Sequence, residues 1–237
     1  MIGIIVILAI SWLLLHFIQK QSLSVLGFWP LKKGMVQLVI GFVLIILIRF
    51  LFTFIESQLR AFEWTLNPNF QLILAAKAFW YHLKSALTEE LIYRGAALYI
   101  LIQRIGDKKA LWLSAIIFGV YHWFSYDLFG SGIVAMVYVL VITGLSGYVW
   151  AYTYFKTGSL MMPLGFHLGS NFFLTFYLPN QPYGELLYSI TDVAVYNDWI
   201  ELLIAFFPGL GPSLLTLFCV KFMLKRKLAP ETNLLQH

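Results

Sequence analysis

The sequence predicts an all-α, polytopic integral membrane helix bundle of about seven transmembrane helices, with six to eight compatible with its length. Three observations carry this expectation. Apolar residues make up 60% of the 237 and charged residues only 11%, mean hydropathy is +0.81, and the apolar residues gather into long runs. A soluble domain of this composition would lack polar surface, so lipid is the solvent. A hydrocarbon core of about 30 Å takes roughly 20 apolar residues per helix. One transmembrane domain over 1–237 is therefore expected, without a soluble appendage.

The apolar runs fall at about 2–18, 35–55, 70–103, 110–125, 132–155, 160–178 and 199–224. The first has no basic residue before it and no small-residue cleavage site after it, and Lys20 follows, which predicts an uncleaved anchor. Loops after the odd-numbered runs hold Lys20, Lys32, Lys33, Arg104, Lys108, Lys109, Lys156, Lys225, Arg226 and Lys227. The opposite loops hold Arg60 as their only basic residue, with Glu56, Glu63, Asp127, Glu185, Asp192 and Asp198. Positive charge collects on the cytoplasmic side, so the N-terminus is expected out and the C-terminus in. The stretch 70–103 is too long for one perpendicular span and predicts an amphipathic outer portion leading into a helix near Ser85. Lys77, His82 and Lys84 are expected to reach toward the outer headgroups. Pro208, Gly209, Gly211 and Pro212 should kink or break the last run and leave backbone groups in need of partners. Residues 179–198 read as an outer loop with room for a short surface helix.

Composition also excludes functions. Cys219 is the single cysteine, which removes an intrachain disulfide, a CxxC redox pair and any multi-thiolate metal site. The net charge of +5 sits in small groups at the ends of apolar runs, which reads as topology rather than nucleic-acid binding.

Polar residues inside the apolar runs carry the chemistry. Glu89, Glu90 and Arg94 interrupt an apolar helix, where an unpaired charge costs several kcal/mol. Glu90 and Arg94 are four apart and share a face, while Glu89 is turned about 100° away. That spacing separates a paired, structural carboxylate from one free to transfer protons. His122 ends the next run, and His167 is followed one turn later by Asn171. At 1.5 Å per residue, Glu89, His122 and His167 lie about 22, 20 and 16 Å from the nearest cytoplasmic basic residue. Matched depth allows an acid–base set around one cavity, without a Ser or Cys nucleophile, suited to hydrolysis by activated water. Gly144-Leu-Ser146-Gly147 has the GxSG form found in rhomboid serine proteases. It lacks their histidine context, so small-residue helix packing is the preferred reading.

These residues resemble the CaaX-protease and bacteriocin-processing family (CPBP, or Abi) of intramembrane glutamate endopeptidases. EExxxR stands as Glu89-Glu90-Leu-Ile-Tyr-Arg94, FxxxH as Phe118-Gly-Val-Tyr-His122 and HxxxN as His167-Leu-Gly-Ser-Asn171. The resemblance covers 72–180 as a catalytic core and departs from none of the motif letters. It implies that Glu89 and His122 activate water, that His167 and Asn171 stabilise the oxyanion, and that Glu90 and Arg94 orient the first pair. It implies no cofactor; a divalent metal such as zinc is disfavoured because asparagine is an uncommon ligand and no HExxH spacing is present.

The expected function is an intramembrane endopeptidase acting on a membrane-associated protein or peptide within the lipid bilayer. The bacterial plasma membrane is the expected location, and the sequence leaves the oligomeric state open. Two other readings remain: a non-enzymatic immunity or scaffold protein in which the polar network only fixes the bundle, and, behind it, a rhomboid-like protease using Ser146. A proton-relay transporter ranks last, since no inverted repeat is evident.

Overall fold

A computed structural model of the chain describes residues 2–191 and 193–225. Helix α1 (Ile2–Leu14) runs on through a π-helical turn, Leu15–Gln19, and α2 (Leu31–Leu59) follows Pro30. A short strand β1 (Trp64–Leu66) precedes α3 (Leu72–Tyr93), α4 (Ala96–Ile105), α5 (Asp107–Ser125), α6 (Ile133–Thr157) and α7 (Met161–Leu174). Strand β2 (Tyr188–Ile190) and the long α8 (Asp198–Lys225) complete the order. Among the described residues four helical stretches are long and apolar enough to cross a membrane: Ile2–Gln19, Leu23–Leu59, Ile133–Thr157 and Asp198–Lys225. The bundle is thus a membrane protein whose outer helices present apolar side chains such as Val43, Leu47, Phe50 and Phe54 to lipid.

Helix α7 sits at the centre. Its 14 residues extend only about 21 Å, less than the hydrocarbon core, and all of 161–170 are buried. Such a helix needs no lipid-facing surface, so its glycines serve packing. Gly165 and Gly169 are four apart and share the face that meets α2, where an added Cβ would strike the backbone of Leu38 and Phe42. Small residues at this spacing let two backbones approach closely. His167 and Asn171 project about 200° around the helix from that face. The glycine contact with α2 therefore aims the two polar side chains the other way, toward α3, α5 and α6.

Several expectations are corrected. The 70–103 stretch does not divide near Ser85; α3 is continuous to Tyr93 and the break falls at Arg94-Gly95. Arg94 caps α3 there, its N–H bonded to the Glu90 carbonyl. The break also means the depth of Glu89 cannot be measured along one straight helix. Among the described residues of 179–198 no surface helix forms before Asp198; β2 instead pairs antiparallel with β1, Thr65 opposite Ser189. This two-stranded sheet is a small exception to an all-α bundle. Pro208 and Pro212 lie within a continuous α8. Pro212 cannot donate to the carbonyl four residues earlier, and Arg49 Nη1 supplies that carbonyl of Pro208 with a hydrogen bond of 3.2 Å. Asp192, Arg226 and Lys227, used above for topology, lie outside the described residues.

Candidate active site

Helix α3 delivers two adjacent carboxylates to different neighbours. Glu90 and Arg94 are fully buried, with Glu90 Oε1 3.2 Å from Arg94 Nη2, and the same oxygen accepts a hydrogen bond of 2.8 Å from His167 Nδ1. The Arg94 pairing is held by charge rather than an aligned hydrogen bond. Its guanidinium also lies 4.0 Å over the Phe118 ring, a cation–π contact strengthened by exclusion of water. Gly147 makes room for that ring, since a Cβ there would meet Phe118.

Glu89 stands apart from this pair. Its Oε1 accepts from Ser85 Oγ at 3.3 Å, and Oε2 lies 3.7 Å from His167 Nε2. Oε2 is buried and has no hydrogen-bond partner, and the same holds for Glu90 Oε2, but of the two carboxylates it is Glu89 that lines the same cavity as His122 and His167.

His122, in the last turn of α5, places Nδ1 2.7 Å from the Phe118 carbonyl. A carbonyl only accepts, so Nδ1 carries the hydrogen and a neutral ring keeps its lone pair on Nε2. His167 is clamped between its bond to Glu90 and the Trp150 ring, stacked at 4.3 Å and 23°. Glu89, His122, His167 and Asn171 line one cavity of about 620 Å³. The four side chains thus come from α3, α5 and α7. Among the described residues no three His, Cys, Asp or Glu side chains are grouped so as to hold a metal ion.

Two sequence readings change in detail. Glu90, paired with Arg94, is bonded to the His167 ring, a partner that the spacing did not indicate. His82 does not reach the headgroups. It is 2% exposed, with Nε2 2.7 Å from Thr175 Oγ1, because its position on α3 faces α7; Lys77 is exposed as expected. Ser146 also lines the cavity, but its hydroxyl lies 3.0 Å from the Ile142 carbonyl and 2.8 Å from Ser213 Oγ. Among the described residues no histidine is bonded to it.

Three contributors were missed. Ser85 had a signal, being one turn before Glu89. Arg49, whose Nε donates to Ser170 Oγ at 3.0 Å, had one as a lone cation in the 35–55 run. Trp150 had none, because an aromatic in an apolar helix looks like lipid-facing or core packing.

Comparison with known proteins now bears on these residues. Residues 71–173 match the Rce1-like family, described as type II CAAX prenyl endopeptidase Rce1-like. The resemblance read from the three motifs is shown over this segment. The Rce1-like segment contains Glu89, His122, His167 and Asn171 together, and the family is one of peptide hydrolases. An uncharacterized protein, YyaK, of Bacillus subtilis (strain 168) is 27% identical over 193 residues. That similarity takes in 76% of this chain and 62% of YyaK, less than two thirds of its length. No solved structure matches.

Proposed function

We propose that the chain is an intramembrane endopeptidase that hydrolyses a peptide bond in a membrane-associated protein or peptide by glutamate- and histidine-activated water. The observation that carries this reading is the shared cavity of Glu89, His122, His167 and Asn171, in which Glu89 Oε2 is the buried acceptor left without a partner. Glu89 takes a proton from a water that also meets His122 Nε2, and the oxygen adds to the scissile carbonyl. Negative charge then develops on the carbonyl oxygen, where His167 Nε2 and the Asn171 amide donate. For His167 to do so while Nδ1 stays on Glu90, both ring nitrogens must carry hydrogen. Each such donor, preorganised in a site shielded from water, is worth about 3 kcal/mol in the transition state. The proton held by Glu89 passes to the departing amine.

Metal-independent catalysis is part of the proposal, as are an N-terminus outside, a C-terminus inside, and residence in a bacterial plasma membrane. The proposed partners are the bilayer and a peptide substrate, with no nucleic acid. The deciding experiment compares membrane peptidomes of cells carrying the wild type and Glu89→Ala at equal folded levels. Loss of a general base lowers turnover by roughly 10²–10⁴-fold, so products of the wild type should vanish from the variant. Equal cleavage by both would end the glutamate reading.

A further inference from the structure

Arg49 lies on α2, outside the Rce1-like segment, between apolar neighbours Ile48 and Phe50. It ties three helices together: Nε donates to Ser170 Oγ on α7 at 3.0 Å, and Nη1 donates to the Pro208 carbonyl on α8 at 3.2 Å. Both acceptors are neutral. A guanidinium has five N–H groups, so these bonds leave donors over. Among the described residues no carboxylate lies within ion-pairing distance of Arg49. Glu56, seven residues along α2, is committed to Arg60 at 3.3 Å. The positive charge therefore faces the cavity that Glu56, Glu89 and His122 also line, with no carboxylate in contact with it among the described residues.

A cation is costly at this depth unless something anionic meets it, and two bonds to neutral acceptors could have been made by an uncharged amide. The charge itself needs an explanation, and the cavity supplies the place for one. Ser170 is next to Asn171 and three residues after His167, which puts the Arg49 contact within about 5 Å, along the α7 axis, of the proposed oxyanion donors. An extended peptide advances about 3.3 Å per residue. A group one to three residues from the scissile bond therefore reaches Arg49.

We propose that Arg49 is a specificity-determining residue that receives a substrate carboxylate beside the scissile bond, a proposal that rests on the endopeptidase reading. The carboxylate belongs either to an acidic side chain or to the substrate's own C-terminus, and bidentate pairing with the guanidinium fork fixes the register of the peptide across His167 and Asn171.

The test uses the full chain in lipid nanodiscs and quenched-fluorescence apolar peptides that differ only in charge. One arm exchanges Asp for Asn at each of the three positions on either side of the cleaved bond; the other exchanges a free C-terminus for an amide. In one arm the wild type should prefer the carboxylate roughly ten- to hundredfold in kcat/KM, chiefly through KM. Arg49→Gln should bring that ratio close to one, and Arg49→Lys should retain part of it. A purely structural Arg49 would lower both members of each peptide pair alike. Ratios near one in both arms for an active, Glu89-dependent wild type overturn the proposal and leave the endopeptidase reading standing. If no peptide is cut, binding of the same labelled peptides to Glu89→Gln decides. Carboxylate-dependent binding lost in the Arg49→Gln/Glu89→Gln protein supports Arg49 as the carboxylate site, binding indifferent to the carboxylate overturns the proposal, and the peptidome comparison decides the endopeptidase reading separately.

Discussion

Replacing Glu90 by Gln keeps the shape of the side chain and removes one charge from a pair with no exposure on either side. Arg94 then remains in the core with the faces of Phe118 and Trp150, at 4.0 and 5.0 Å, and no carboxylate on its own helix face. Removing one member of a buried pair costs about 3–5 kcal/mol, because the other charge is left uncompensated. For a chain of this size each kcal/mol moves the melting midpoint by about 2–4 °C, so Glu90→Gln should melt some 6–20 °C below the wild type. The double variant Glu90→Gln/Arg94→Met discharges the site and should recover at least half of that loss. It should not recover activity, since His167 Nδ1 loses its anionic acceptor. Thermal unfolding of the wild type, Glu90→Gln, Arg94→Met and the double variant in one detergent, read by intrinsic fluorescence, measures the cycle. Additive losses in the double variant, or an unchanged midpoint for Glu90→Gln, would show that the pair is not the electrostatic centre of the bundle.

Gly165→Leu should lower the melting midpoint by several degrees, because its side chain would strike the Leu38 carbonyl and overpacking costs about 1–3 kcal/mol; a thermal scan suffices. Trp150→Leu removes the ring stacked on His167 at 4.3 Å, a contact worth about 0.5–1.5 kcal/mol, and should lower kcat severalfold with little change in KM in a steady-state assay. Ser146→Ala should cleave at close to the wild-type rate, and a dead Ser146→Ala beside an active Glu89→Ala would install a serine nucleophile instead. Prolonged dialysis against a chelator should leave turnover unchanged, with metal content followed by elemental analysis.

The sequence made the outer helices legible and the inner ones harder to read, for a physical reason. Helices α2, α6 and α8 touch lipid, so their composition is close to hydrocarbon and hydropathy finds them. Helix α7 is surrounded by protein over 161–170 and can be short and glycine-rich. Its apolar run, 160–178, looked like a span although the helix stops at Leu174. The Arg94-Gly95 break was invisible to periodicity because the residues on both sides remain apolar. Pairing of β1 with β2 joins residues more than 120 positions apart, and no local signal records such a partner.

The candidate site was legible because charge inside lipid is scarce: Glu89, Glu90, Arg94, His122 and His167 stand out against an apolar background, and spacing of four alone puts Glu90 with Arg94. Spacing could not show that Glu90 reaches across to α7, since a bond between residues 77 positions apart depends on how Gly165 and Gly169 turn that helix against α2. The same contact brings Arg49 to Ser170. Helices α2 and α8 lie outside the matched segment 71–173, yet they close one side of the cavity, where α2 places Arg49 against Ser170 and the Pro208 carbonyl. The three motifs place their residues on α3, α5 and α7, and under the proposed function the part of the cavity that would distinguish one peptide from another is built largely from residues outside those motifs.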